Sequence, residues 1–514
     1  MTLAADTLSQ LGPLAAAADA VAADLVDRDA VRRMFAFDHT LWRADPTEIA
    51  DRLGWIPVVA EVVAELNALR ARCGTLVRDV DHVLVMGMGG SSLFPEVLAQ
   101  TLGAEGSGPE LHVLDTTDPA AIARIAAACP ADRTLHVASS KSGSTIETRS
   151  HLEWAWERSG DPARFAVITD PGSELGALAR ARGFAEVFEN RADIGGRYSA
   201  LSLFGIVPAL LAGVDAAALL AGGIEGLAAC GPAADPNTNP ALALAAVLAA
   251  GVRCGRDKAT FTLSPDVTTL GLWLEQLIAE SLGKDGTGIV PVVGESLGAP
   301  EVYGDDRIVL VEPGLLAETV ALAAAGHPVL ALRVSADARA IGHLVVVAEV
   351  ATALAAAAIG VQPFDQPDVA AAKAATSEVL AQGGGVVEET PIAGLLAQLR
   401  PGDHLAIQAF VDPGGPHAAQ LGVARIALRD RCRVATSLGF GPRFLHSTGQ
   451  LHKGGPAAIV CVQAVGDDPE EIAIPGRDLA FGRLKQAQAT GDLRTLQARG
   501  IRAARVPLSE LCDP

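Results

Sequence analysis

The chain has 514 residues, half of them hydrophobic and 19% charged, a globular composition with length for about three domains. Forty basic residues against sixty acidic ones leave a net charge of −20, which excludes nucleic-acid binding through a general basic surface. Aromatic residues make up only 4%, too few for base-stacking platforms, so any anionic small substrate must meet positive charge concentrated locally.

Residues 1–75 read as an N-terminal helical segment, in which Asp45-Pro46 has the pattern of a helix cap followed by proline at the first helical position. The first residues carry neither the basic region nor the apolar run of a signal peptide, so a cytoplasmic protein is expected. Short apolar runs then alternate with amphipathic stretches at Val83–Met86, Leu111–Leu114, Leu135–Ala138 and Phe165–Ile168. That alternation predicts an α/β domain over 76–232, with a parallel sheet covered on both faces. A proline- and asparagine-rich segment at 231–240 marks a boundary.

A second α/β domain is expected over 233–475, with strands at Thr260–Leu263, Ile308–Val311, Val329–Val334, Leu405–Phe410, Val434–Ser437 and Ile459–Val462. Within it, Leu344–Val361 is nearly apolar enough to span a membrane. Glu349 interrupts it and no basic residues flank it, so a buried helix and no membrane partner are expected. The segment 476–514 begins with a closing helix at 477–488. Seven widely spaced cysteines without a CxxC read as reduced thiols, with neither a disulfide framework nor a zinc motif.

Ligands of parallel sheets bind at the carboxyl ends of the strands, so the residues after each strand carry the chemistry. Gly87-Met88-Gly89-Gly90-Ser91-Ser92 follows the first. It fits a tight strand-to-helix turn, an anion-binding loop, or an imperfect dinucleotide fingerprint with Asp115 as the ribose acid. Ser139 to Thr148, SSKSGSTIET, follows the third and gathers hydroxyls, one lysine and one glycine before a helix, a set that surrounds a phosphate.

Lysine is scarce, six against thirty-four arginines, and Lys141, Lys284, Lys373 and Lys453 all stand in polar or glycine-containing segments. In Gly195-Gly196-Arg197-Tyr198-Ser199 a guanidinium sits beside backbone donors, which suits an oxyanion. Glu275 and Glu280 lie on a helix ending at Gly283. At its C-terminal turn the helix dipole raises a carboxyl pKa, which suits a general base near neutral pH.

Taken together, these segments resemble the glucose-6-phosphate isomerase family from about Thr40 to about Lys485. The resemblance rests on GMGGSSL (Gly87–Leu93), SSKSGSTIET, GGRYSALS (Gly195–Ser202), AESLGK (Ala279–Lys284) and QPFDQPDVAAAK (Gln362–Lys373). GFGPRFLHSTGQLHKGG (Gly439–Gly455) is similar to the isomerase half of bacterial transaldolase–isomerase fusion chains. The resemblance implies an α/β fold of two sugar-isomerase domains, each a parallel sheet sandwiched by helices. It also implies isomerisation of glucose 6-phosphate and fructose 6-phosphate without metal or organic cofactor, a homodimer, and an association with transaldolase.

Carried over by position, Ser140, Ser142 and Thr145 would grip the phosphate with Lys141 close by, and Gly89, Gly90 and Gly196 would line the site. Arg197 would stabilise the enediolate, Glu280 would move the proton between C2 and C1, and Gln366 and Lys373 would assist at the sugar ring. Glu147 would orient its neighbours. One feature departs from the family. The stretch Ser281 to Gly326 after the base has no histidine, and Tyr303 stands in that neighbourhood. His446 and His452 are then the candidates for the acid that opens the ring. A non-catalytic sugar-phosphate sensor is the alternative reading; it would need the serine loop but not Glu280, Arg197 and Lys373 together.

Overall fold

A computed structural model describes residues 10–103, 108–383, 387–468 and 470–512. The first sheet is formed by β1 (His82–Gly87), β2 (Glu110–Leu114), β3 (Thr134–Ser139), β4 (Phe165–Thr169) and β5 (Glu186–Glu189). Its order is β2-β1-β3-β4-β5 and every pairing is parallel. Alternation along each strand buries both faces. Val83, Val85, Leu135 and Val137 join the large core shared with the N-terminal and central helices, while Leu84, Met86 and Ala138 point into a second core.

The second half holds two parallel four-stranded sheets rather than one. β6 (Lys258–Thr262), β7 (Val290–Val292), β8 (Arg307–Val311) and β9 (Val329–Ala331) are ordered β7-β6-β8-β9. β10 (His404–Phe410), β11 (Ala435–Phe440), β12 (Ile459–Val465) and β13 (Arg502–Arg505) are ordered β11-β10-β12-β13. The edge strands β7 and β11 approach each other. There Arg425 donates to the Val293 carbonyl at 2.7 Å and to the Thr436 carbonyl at 2.7 Å. The α/β class of parallel sheets flanked by helices is thus present throughout.

The apolar segment near residue 350 is the helix Ala338–Ile359, among the described residues the one helix long and apolar enough to cross a membrane. In this fold 89% of that stretch is buried, packed along the helices Ala216–Cys230 and Pro240–Arg253. Glycines permit the closest approach: a Cβ on Gly222 would strike the Arg339 carbonyl, and one on Gly342 the Leu219 carbonyl.

Three details differ from expectation. Asp45 caps a turn, accepting the Thr47 N–H at 3.0 Å, and the next helix starts only at Trp55. Tyr303 lies away from the base, its hydroxyl accepting the Gly298 N–H at 2.7 Å beside Arg429. The closing helix runs from Phe481 to Ala498, and the chain then adds β13 to the third sheet.

Candidate active site

The carboxyl ends of β1, β3 and β11, the turn at Gly196–Tyr198, the helix Leu270–Leu282 and the loop at 362–366 converge on a cleft of about 430 Å³. Beyond β3 the chain turns through residues 140–145 and enters the helix Ile146–Ser159. Ser140, Lys141, Ser142 and Thr145 of this turn line the cleft at the helix's amino end. Ser140 Oγ accepts the Gly143 N–H at 3.2 Å and lies 3.3 Å from Thr145 Oγ1, while the Ser142 and Ser144 hydroxyls pair at 2.9 Å. Lys141 Nζ donates to Asp170 at 2.6 Å and to the Ala192 carbonyl at 2.5 Å. The glycine loop abuts this wall; a Cβ on Gly90 would fall on the Gly196 carbonyl, so the two backbones pack directly.

Glu280 occupies the last turn of Leu270–Leu282 and is 2% exposed. Its Oε2 accepts from Gln366 at 2.9 Å and from Gln276 at 3.5 Å, and lies 3.6 Å from Arg197 Nη1. Burial raises its carboxyl to about 7, against the pull of Arg197, His446 and Lys284. Arg197 is itself buried and immobilised. Its Nε donates to Ser281 Oγ at 2.8 Å and its Nη2 to the carbonyls of Pro363 and, at 3.0 Å, Asp365. Lys284 Nζ holds the same loop through Gln362 O at 2.6 Å, Asp365 O at 2.7 Å and Asp365 Oδ1 at 2.6 Å. Burial, with the Arg197 charge nearby, lowers that ammonium to about 7.

His446 arrives from the loop after β11, and its Nε2 lies 3.0 Å from Glu147 Oε1. Gln488 donates to the same oxygen at 2.6 Å. Burial by itself would raise the Glu147 carboxyl, but His446 draws it down to about 2. Three residues before His446, Arg443 is anchored 2.7 Å from Asp115. Asp115 thus braces this loop, which replaces its reading as a ribose acid.

Of the residues singled out in the sequence, Gly89, Gly90, Ser140, Lys141, Ser142, Thr145, Gly196, Arg197, Glu280, Gln366 and His446 line the cleft. Glu147 stands behind His446. His452 does not line it, a correction to its candidacy as the ring-opening acid. It is buried on the helix Gly449–Gly454, its Nδ1 3.0 Å from Gln408 of β10, and burial lowers its pKa to about 3. Glu275 is likewise outside the cleft; burial raises it to about 7, with Arg425 opposing. Lys373 falls on the helix Val369–Ala381, and its side chain lies outside the described residues.

Glu48, Arg52, Asp170, Gln276 and Phe364 also line the cleft and were not anticipated. Gln276 had a signal, since it sits four residues before Glu280 on the same helix face. Its Nε2 donates to the His446 carbonyl at 2.7 Å, joining base helix to histidine loop. Arg52 and Glu48 come from the turn that replaced the expected helix, and no motif marks them.

Residues 43–305 match the family model described as phosphoglucose isomerase. The chain belongs to that family. The match includes the serine loop, Arg197 and Glu280, and ends before Gln366 and His446. Among phosphoglucose isomerase relatives, the glucose-6-phosphate isomerase of Synechococcus sp. (strain JA-3-3Ab) is 30% identical over 370 residues, 62% of this chain and 70% of that one. The glucose-6-phosphate isomerase of Rubrobacter xylanophilus is 32% identical over 361 residues, 58% of this chain and 81% of that one. Among solved structures, a hypothetical protein from Thermus thermophilus is similar with a TM-score of 0.61 and 27% identity, covering 73% of this chain and all of that one. The Chlamydia trachomatis glucose-6-phosphate isomerase shares the fold at a TM-score of 0.60 and 19% identity, covering 71% of this chain and 86% of that one.

Proposed function

We propose that this chain interconverts glucose 6-phosphate and fructose 6-phosphate by proton transfer between C2 and C1 through an enediolate. The observation that carries the reading is the buried pair of Glu280 and Arg197, on the same cleft as the serine loop. A carboxylate tuned toward neutrality can remove a proton beside a carbonyl, and a fixed guanidinium next to it stabilises the oxyanion that develops. The phosphate, held by Ser140, Ser142, Thr145 and the helix N–H groups with Lys141 alongside, supplies binding energy remote from the reacting carbons. Gln366 holds the Glu280 carboxylate in place.

His446, oriented by Glu147, is the acid assigned here to ring opening. It belongs to the same chain as Glu280, so one chain carries both groups. A homodimer in the cytoplasm is part of this reading, and an association with a transaldolase rests on the resemblance of residues 439–455 alone. A sugar-phosphate sensor would need the serine loop without a buried base beside an arginine.

The test supplies fructose 6-phosphate with a glucose-6-phosphate dehydrogenase and NADP in EDTA, and follows NADPH. Steady formation supports the isomerase; its absence with folded protein, together with calorimetric binding of the sugar phosphate, would establish the sensor. In the same assay, His446→Gln is expected to lower kcat on fructose 6-phosphate about 10²-fold, the low end for a general acid because ring opening also proceeds slowly unaided. Ser140→Ala is expected to raise KM about tenfold or more with little change in kcat, since a hydrogen bond to a charged group contributes roughly 1.5–3 kcal/mol.

A further inference from the structure

The amino end of the first sheet, opposite the cleft, carries another cluster of ligating side chains. His82 opens β1, Glu110 and His112 lie on β2, and Cys129 follows the helix Pro119–Ala128. The parallel register sets Glu110 beside His82 and His112 beside Leu84, so His82, Glu110 and His112 share the face that this helix covers. His82 Nδ1 and His112 Nε2 are 3.1 Å apart. Glu110 Oε2 lies 3.7 Å from the first and 3.6 Å from the second. With Cys129 Sγ, the two imidazole nitrogens form a group whose ligand atoms all lie within 4.8 Å of one another.

We propose that His82, His112 and Cys129, with Glu110 as fourth ligand, bind a divalent transition-metal cation of the zinc class. Two imidazoles, a thiolate and a carboxylate are a borderline-soft donor set that suits zinc and not magnesium or calcium, which take oxygen ligands. A tetrahedron with metal–nitrogen bonds of about 2.0 Å and a metal–sulfur bond of about 2.3 Å has edges of about 3.3–3.6 Å. The separations among His82, His112 and Glu110 are already close to that, and Cys129 lies within 4.8 Å of both imidazoles. The charge balances: one thiolate and one carboxylate neutralise the dication, and the thiol proton passes to solvent.

A route in exists as well. Glu110 and His112 line an open cavity of about 660 Å³, and the Glu110 side chain is 70% exposed. The bound ion would tie β1, β2 and the covering helix together, away from the reacting carbons. The sheet register brings His82 beside Glu110 and His112, and the covering helix brings Cys129 to them.

The experiment uses the full chain, stripped with a chelator under reductant and titrated with Co²⁺. The expected result is one equivalent per chain, a thiolate-to-cobalt charge-transfer band with tetrahedral ligand-field bands, and displacement of both by Zn²⁺. Cys129→Ser should abolish the charge-transfer band, and His112→Gln should weaken binding at least about tenfold. Cys512→Ser, which removes a different thiol 3.7 Å from His417, should leave the band intact. Zn²⁺ should raise the Tm of the parent and not that of His112→Gln. A band that survives Cys129→Ser, no stoichiometric uptake, or an equal Tm rise in His112→Gln would overturn the proposal.

Discussion

Replacing Glu280 by glutamine lowers kcat for the isomerisation by about 10³–10⁴-fold, the upper part of the range for a positioned general base, and changes KM little. Glutamine keeps the shape and can still meet Gln366 and Arg197, but it cannot accept the substrate proton. The parent enzyme's pH profile carries the same signature. Burial holds the Glu280 carboxyl at about 7 instead of the ordinary 4.5, and the proposed base acts as the carboxylate. The kcat/KM of the parent therefore rises with pH up to about 7 and levels off above it. The stability consequence has the opposite direction. Because the folded pKa lies above the unfolded one, the contribution of this group to stability is complete below about 4.5 and is lost as pH rises through about 7. The Tm of Glu280→Gln relative to the parent should accordingly rise as pH increases through about 7. Thermal unfolding across pH checks this, and an unchanged kcat would remove Glu280 from the mechanism.

Glu295→Gln is expected to destabilise the chain by about 3–5 kcal/mol, because it removes the carboxylate that the buried Arg307 and Arg425 face, while Arg429 keeps Asp430 at 2.7 Å. Glu295 is fully enclosed between Arg429 at 3.3 Å, Arg307 at 3.5 Å and Arg425 at 4.0 Å. Arg307 belongs to β8 and donates to Thr260 of β6 at 2.7 Å. Arg425 and Arg429 belong to the helix Pro416–Cys432, which packs on β11. The carboxylate therefore clamps the second sheet to the third, and the third carries the loop of His446. Denaturant titration measures the loss, with Glu301→Gln at an exposed position as a control expected to change the midpoint little. A Glu295→Gln midpoint equal to that of the parent would show that the arginines are satisfied without it.

The central strands were readable because a strand buried on both faces is a continuous apolar run, as in Val83–Met86 and Phe165–Ile168. The three strands that went unread, β5, β7 and β13, are all sheet edges. β5 and β13 are flanked by charged residues, and β7 is three residues long with Pro291 at its centre. Edges carry such residues because one side of the strand is unpaired, so their pattern resembles that of a loop. Asp45-Pro46 misled for a related reason: an aspartate that caps a turn has the same local signature as one that caps a helix.

The amino-acid sequence by itself determined the α/β class, the position of the loops at the carboxyl ends of β1 and β3, and the residue types of the site from Ser140 to Glu280. These are local properties, set by hydrophobic period, by glycine and serine at strand ends and by the helix terminus at Gly283. Only the tertiary structure decided which histidine lines the cleft. His446 meets Glu147 across 299 residues, while His452, six positions later, is turned into the core against β10. It also decided that Glu280 is enclosed and tuned and that Glu295 joins two sheets. Desolvation and ion pairing depend on atoms supplied by distant segments, and no window of sequence contains them.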